Sequence, residues 1–325
     1  MQSRRGILLA GLSAACAPVV AQSTASAPPA LVKLLIGAPP GGAGDTFLRR
    51  LADKLRGSYA PNVVVENKTG AAGQIALMAA REASPDGSTL LMTPSTFFSV
   101  YPHSYSKLPY TTKDFEPLSL LAYTNFGLAV GPQVPESVKT FKDFLAWSKG
   151  NPDKATYGSP APGSVPHLIV AAASQHFGVP LRHVPYRGSV PGIQDLRGGQ
   201  IAAMSSPIGA LLPHIVPGGV RVLAVTGSGR STLLPQVPTY QEQGLPIIGR
   251  EWFGLFLPAG VRPELLARAN TAVRQALQQP DLIDAATKLG LEVAGSSGAE
   301  LQELIRQDSK EWEVWVKRLG FTAES

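Results

Sequence analysis

The chain has 325 residues, with 29 Lys and Arg against 23 Asp and Glu, a net charge of +6 and a single cysteine. The basic residues are scattered and form no run that alternates with aromatics, which argues against a nucleic-acid partner. The length suits two domains, and one cysteine excludes a disulfide framework.

Residues 1–21 have the pattern of a signal peptide. Arg4 and Arg5 form a basic start, a short apolar stretch follows, and Val19–Ala21 supplies small residues for cleavage. The apolar stretch is too short to span a bilayer. Removing the two arginines leaves 27 basic against 23 acidic residues, a net charge of +4. We therefore expect export to the periplasm, with Sec and twin-arginine routes both open.

Cys16 lies inside this segment, so the mature chain is expected to have no thiol. Lipid attachment at Cys16 is the alternative to a freely diffusing exported protein. Ser13 disfavours it, because it stands where lipoprotein signals usually carry an aliphatic residue.

Beyond the signal, apolar β-branched runs alternate with amphipathic helical patterns, which is typical of α/β layers around mostly parallel sheets. The predicted strands are Leu31–Ile36, Val63–Glu66, Thr89–Thr93, Phe126–Val130, Ala155–Gly158, Leu181–Val184, Ile201–Met204, Val222–Thr226 and Leu291–Val293. The predicted helices are Thr46–Arg56, Gln74–Glu82, Val138–Lys149, His167–Phe177, Val190–Leu196, Glu264–Leu277, Leu282–Leu289 and Ala299–Leu319.

Two connections rich in glycine and proline, Gly131–Pro135 and Gly244–Gly249, suggest that the chain leaves one domain and later returns to it. We expect a discontinuous first domain, residues 28–124 plus 251–325, and an inserted second domain, residues 125–250. A cleft between two such lobes is where a small ligand usually binds.

The segment Pro39–Asp45 follows the first predicted strand and precedes the first helix. Its glycines let the backbone approach a ligand closely, and the first amides of a helix can bind an anion without any lysine. A plain tight turn is the alternative. Walker A is excluded because the segment has no Gly-Lys pair, and Phe47 occupies the last glycine position of a dinucleotide fingerprint.

Residues for catalysis or metal binding do not assemble into a recognised motif. The chain contains no G-x-S-x-G elbow, and its five histidines lack metal-ligand spacing. We expect neither a cofactor nor a metal. An exported α/β hydrolase-like enzyme acting on a small acid or ester remains the alternative to a binding protein, because acids distant in sequence can still meet in space.

Several motifs, taken together and in order, resemble the Bug-type solute-binding proteins of tripartite tricarboxylate transporters. The resemblance covers essentially the whole mature chain. The motifs are Pro39–Asp45, Val63–Gly73, Ser84–Met92, Lys107–Tyr110, Asp114-Phe115, His183–Gly188, Leu211–Ile215, Leu223–Thr226 and Trp252–Leu255.

This resemblance implies a type II-like periplasmic binding protein fold, in which two α/β lobes close on a ligand in the cleft between them. It implies capture of a small carboxylate, whether a dicarboxylate, a tricarboxylate or an aromatic carboxylate. The partner implied is the membrane permease of such a transporter. We expect a monomer without enzymatic activity.

The resemblance also implies that the turns at Pro40–Asp45 and Gly163-Ser164 hold one ligand carboxylate. Asp45 and Ser164 could instead serve as helix caps, His167 as a buried helix residue and Tyr186 as part of a surface turn. The predicted ligand-binding residues are Pro40, Gly41, Gly42, Ala43, Asp45, Ser95, Gly163, Ser164, His167, Tyr186, Gly188 and Ser206.

Three departures from the family pattern concern the ligand. Val165-Pro166 removes hydroxyl donors from the second turn. Phe97-Phe98 replaces polar residues and could contact an aromatic ligand, although core packing is the alternative. Ser205-Ser206 stands where many relatives have Phe-Asp, which disfavours amino acid ligands.

Overall fold

The computed structural model describes residues 29–216 and 219–322. The predictions of a signal peptide at residues 1–21 and of lipid attachment at Cys16 lie outside the described residues. The described chain forms two β-sheets flanked by helices, which confirms the predicted α/β class.

Every predicted helix and strand overlaps an observed one. The strands are β1 (Leu31–Ile36), β2 (Asn62–Asn67), β3 (Thr89–Pro94), β4 (Phe115–Thr124), β5 (Phe126–Val130), β6 (Thr156–Ser159), β7 (Arg182–Pro185), β8 (Ala203–Pro207), β9 (Arg221–Val225), β10 (Glu251–Pro258) and β11 (Leu291–Val293). The helices are α1 (Ala43–Leu55), α2 (Gln74–Arg81), α3 (Tyr101–Ser104), α4 (Phe141–Gly150), α5 (Val165–His176), α6 (Ser189–Arg197), α7 (Ile208–Leu211), α8 (Pro263–Leu277), α9 (Pro280–Lys288) and α10 (Gly298–Leu319).

The first sheet has the strand order β11-β4-β10-β3-β1-β2, and the second has the order β7-β6-β8-β5-β9. We call these sheets, with the helices packed on them, the first lobe and the second lobe. The chain crosses between the sheets from β4 to β5 through Asn125 alone, and it returns at the start of β10.

Most strands of each sheet run in one direction, as predicted, and β5, β10 and β11 run opposite to the rest, so both sheets are mixed. β10 is antiparallel to β3 and β4, β11 is antiparallel to β4, and β5 is antiparallel to β8 and β9. The reason lies in the crossings. β5 and β10 begin where the chain enters a lobe, so they run opposite to the neighbours that end at that edge.

The strands β4 and β10 were not predicted. β4 contains Pro117 and Ser119, and β10 contains Gly254 with two irregularities in its register against β4. These features break the alternation that marks a strand in a sequence.

Apolar clusters cover both faces of each sheet. In the first lobe, one face packs against α1, α8 and α9, and the other packs against α2, α3 and the start of α10. In the second lobe, α4 and α5 cover one face and α6 covers the other. Of the helices in the described ranges, none is both long and apolar enough to cross a bilayer.

The last helix contributes to both lobes. Leu301 and Ile305 of α10 are buried in the first lobe, whereas Trp312 and Val316 are buried in the main core of the second. Phe321, just beyond the helix, packs against this second core as well. The end of α10 therefore belongs to the interior of the second lobe.

Candidate functional site

The predicted ligand turns lie at the C-terminal ends of neighbouring strands in both sheets. Pro40–Asp45 follows β1 and Ser95 follows β3, which pair directly in the first sheet. Gly163-Ser164 follows β6, Tyr186 and Gly188 follow β7, and Ser206 lies in β8, with β6 between the other two strands. Ligands of α/β proteins usually bind at this edge of a sheet.

The turn before α1 is built to present backbone amides. Gly41 has φ +83°, a conformation that favours glycine, while Gly42 is extended and caps the helix without a side-chain hydrogen bond. Thr46 donates the first intrahelical hydrogen bond, to the Gly42 carbonyl. The helix geometry therefore leaves the amides of Ala43, Gly44 and Asp45 without intrahelical acceptors, at the positive end of the dipole.

Asp45 organises this turn from inside. It is 2 % exposed, and its Oδ2 accepts hydrogen bonds from the Gly41 amide at 2.9 Å and from Arg49 Nε at 3.0 Å. Its Oδ1 accepts from Asn67 Nδ2 at 2.8 Å. Burial alone would raise the pKa of Asp45, but the hydrogen bonds from Arg49, Gly41 and Asn67 outweigh it and hold the pKa below its usual range. Both carboxylate oxygens are thus committed to the turn.

The second-lobe turn, at Gly163-Ser164 before α5, is built differently from the turn before α1. Gly163 has φ +69°, and Ser164 precedes α5 in an extended conformation. The Ser164 hydroxyl donates to the Ala161 carbonyl at 2.7 Å and does not cap the helix. Because Pro166 has no amide hydrogen, Val165 and His167 carry the helix amides that remain for an anion.

His167 holds this turn through its ring. The Gly163 amide donates to His167 Nδ1 at 2.9 Å, so Nδ1 carries no proton and the ring is neutral. The ring stacks on His183, with centroids 3.8 Å apart, and the Ser159 hydroxyl lies 2.8 Å from His183 Nε2. Burial, with the neighbouring His183, lowers the pKa of His167 to about 3, and burial lowers the pKa of His183 to about 4.

The other second-lobe residues are joined to this loop by hydrogen bonds. The Tyr186 amide donates to the Ser159 carbonyl at 3.0 Å, and the Gly188 amide donates to the Pro160 carbonyl at 2.9 Å. The Tyr186 hydroxyl donates to Asp195 at 2.8 Å. The buried Ser206 hydroxyl donates to Ser189 at 2.7 Å. Both hydroxyls are thus engaged within the second lobe.

Ser95, Phe97 and Phe98 follow β3 and have different surroundings. Ser95 is buried, and its hydroxyl has no hydrogen-bond partner among the described residues. Phe98 is 1 % exposed and packs against Phe256 with centroids 4.6 Å apart, and Phe97 packs against Tyr101 at 5.0 Å. Core packing of the first lobe therefore accounts for the positions of both phenylalanines.

Two residues at the second turn were not predicted from the sequence. The Ser104 hydroxyl of the first lobe lies 3.4 Å from the position that a Cβ atom on Gly163 would occupy, and a ring carbon of Phe321 lies 3.1 Å from it. Phe321 also makes an edge contact with His167, with centroids 4.9 Å apart. The lobes therefore meet at this turn. No local signal marks Ser104 or Phe321, since both contacts join segments distant in sequence.

Acid is expected to destabilise the protein through His167. Its folded pKa lies below the unfolded value of about 6.5, so the unfolded chain binds more protons below that pH. The stabilisation is complete above about pH 6.5 and is lost as the pH falls toward the folded pKa. Between pH 7.5 and pH 5, this group alone should lower the free energy of unfolding by about 2 kcal/mol.

Urea denaturation of the wild type and His167→Asn at both pH values measures this effect, because asparagine keeps an acceptor near Nδ1 and does not titrate. His176→Asn is the control, since His176 is exposed on the same helix. Burial raises the pKa of Glu251 to about 7 and that of Asp308 to about 6, but both carboxyls are common to all three proteins and cancel in the comparison. Equal pH dependence in the wild type and His167→Asn would contradict the prediction.

Comparison with known proteins is consistent with this geometry. Residues 47–321 match the model of the tripartite tricarboxylate transporter family receptor. The chain is 30 % identical to Protein BugT of Bordetella pertussis, over 98 % of this chain and 99 % of BugT.

Two solved structures from Rhodopseudomonas palustris are similar throughout. One, solved with adipate, is 28 % identical with a TM-score of 0.84, covering 91 % of this chain and 98 % of that one. The other is MatC with bound malate, 28 % identical with a TM-score of 0.78, covering 88 % of this chain and 98 % of that one.

The matching family is a transporter receptor family and a further structural neighbour is the periplasmic binding protein BugD, so the hydrolase-like alternative is set aside. Two sheets with their flanking helices, the glycine turns at the strand ends and the whole-chain similarity agree with one another. The chain therefore belongs to the receptor family of the tripartite tricarboxylate transporters, the Bug-type solute-binding proteins.

Proposed function

We propose that this receptor captures an aliphatic di- or tricarboxylate between its lobes in the periplasm and delivers it to the permease of a tripartite tricarboxylate transporter. The turn before α1 carries the proposal, because Asp45 fixes Gly41 while the first amides of a 13-residue helix keep no intrahelical acceptor. Adipate and malate in two related structures support the ligand class. Family membership supports the permease, and the pattern of residues 1–21 supports export.

A dicarboxylate suits the turns before α1 and α5 better than an amino acid does. The turns before α1 and α5 both offer partial positive charge from helix N-termini. Position 206 supplies no carboxylate for an ammonium group, since Ser206 is buried and hydrogen-bonded to Ser189. An ammonium group buried without a charged partner costs several kcal/mol.

Malate and aspartate provide a matched test, because they share a four-carbon dicarboxylate skeleton and differ in a hydroxyl against an ammonium group. We expect malate to bind at least roughly a hundredfold more tightly than aspartate, following from the uncompensated charge. Titration calorimetry with purified mature protein gives both dissociation constants.

A wider panel of ligands tests which class of acid this receptor binds. Melting temperatures are measured with adipate, malate, citrate, benzoate and aspartate at equal concentration, since a ligand that binds only the folded protein raises the melting temperature. Adipate, malate or citrate should give the largest increases. If none of the carboxylates raises the melting temperature, carboxylate capture is wrong for this receptor. If aspartate gives the largest increase, the argument from Ser206 fails.

A further inference from the structure

Ser104 has the position of a ligand-binding residue that no sequence motif marks. It ends α3 in the first lobe and is fully buried. Its Oγ faces Gly163 of the second lobe, 3.4 Å from where a Cβ atom would stand. Within residues 29–216 and 219–322, this hydroxyl has no hydrogen-bond partner.

The surrounding contacts hold Ser104 in place. Tyr101, at the start of α3, packs against Phe97 and Tyr105 with centroids 5.0 and 4.6 Å apart. His103 Nε2 lies 2.8 Å from the Ser309 hydroxyl on α10, which ties α3 to the last helix. The hydroxyl is therefore directed at the second-lobe turn by a packed scaffold, since its neighbours on both sides are fixed.

The turn before α5 has few hydrogen-bond donors free for a ligand carboxylate. The Gly163 amide is used by His167, the Ser164 hydroxyl donates to Ala161, and Pro166 has no amide hydrogen. A carboxylate at the start of α5 thus finds few donors within its own lobe. A buried hydroxyl without a partner is unfavourable in itself, so Ser104 gains most from an acceptor that arrives with the ligand.

We propose that Ser104 donates a hydrogen bond to the ligand carboxylate held at the N-terminus of α5, so that one anion contacts both lobes. This inference rests on the proposed function, because it assigns a residue to the same cleft. It makes Ser104 a first-lobe contact for a carboxylate bound at the turn before α5.

The test is Ser104→Ala, with malate and adipate as the probes in titration calorimetry. Loss of a hydrogen bond to a charged group should weaken binding roughly ten- to hundredfold. The same substitution should leave the melting temperature of the ligand-free protein unchanged or raise it, because it removes a buried hydroxyl that has no protein partner. Weaker binding together with undiminished stability is not expected of a residue whose role is only structural.

Ser148→Ala is the matched control. Ser148 lies in α4, is 2 % exposed, and its hydroxyl also lacks a partner in the described part of the chain. Its replacement should affect stability as Ser104→Ala does and leave both affinities unchanged. Wild-type affinity in Ser104→Ala overturns the inference and leaves the proposed function standing, whereas failure of the wild type to bind either carboxylate overturns both. An equal loss of affinity in Ser148→Ala would also overturn it.

Discussion

Gly42→Val is expected to abolish ligand binding without disturbing the fold. Gly42 has φ −72° and ψ 165°, which any residue adopts, and a Cβ atom there would meet only the Pro39 carbonyl, at 3.8 Å. The valine would project from the helix cap, where a carboxylate must approach the amides of α1 closely. Because a ligand that cannot reach those amides loses several hydrogen bonds, we expect binding of malate and adipate to weaken at least roughly a hundredfold.

Gly150→Val is the control for this substitution. Gly150 is the exposed last residue of α4, and a Cβ atom there would meet no other atom within 4 Å. Calorimetry should show unchanged affinity for this variant, and circular dichroism should show both variants folded. A folded Gly42→Val protein that binds with wild-type affinity would remove the α1 turn from the ligand site.

Asp45→Ala should lower both stability and affinity. The change leaves the Gly41 amide, Arg49 and Asn67 without their shared acceptor, in a position that is only 2 % exposed. Because Arg49 is about half exposed, solvent screens its ion pair, and we expect the loss of the three hydrogen bonds to Asp45 to cost about 1 to 3 kcal/mol of unfolding free energy. Since the Gly41 turn loses its internal hydrogen bond, we also expect affinity for malate to fall roughly tenfold or more.

Asp53→Ala on the same helix provides the comparison. Asp53 pairs with Arg56 at 2.7 Å, but both side chains are more than half exposed, so the pair should contribute less than about 1 kcal/mol. Urea denaturation and calorimetry on both variants separate the two aspartates. If Asp45→Ala behaves like Asp53→Ala in both measurements, Asp45 does not organise the turn.

Local patterns in the sequence were sufficient for most of the elements. The apolar run at Leu31–Ile36 and the amphipathic pattern from Glu264 to Leu277 each became the expected element, because one face of each is buried in a single core. The directions of β5 and β10 could not be predicted in this way. They depend on where the chain enters each lobe, which is a property of the whole topology.

Local sequence patterns likewise predicted only part of the candidate site. The glycines at positions 41 and 163 have the positive φ that their motifs require. The use of the Gly163 amide by His167 and the approach of Ser104 to this turn were invisible in the sequence, because they depend on side-chain orientation and on contact between distant segments. The roles of the predicted ligand residues therefore stay predictions that the variants above can test.

The path of α10 determines which segments must stay together when the second lobe is produced or exchanged on its own. Trp312 and Val316 complete a core whose strands all lie between residues 126 and 225. A fragment covering only residues 125–250 would leave that part of its interior open to water, with the loss of solubility that exposed aromatic surface brings. Exchange of the second lobe between related receptors must therefore carry the end of the C-terminal helix along with it.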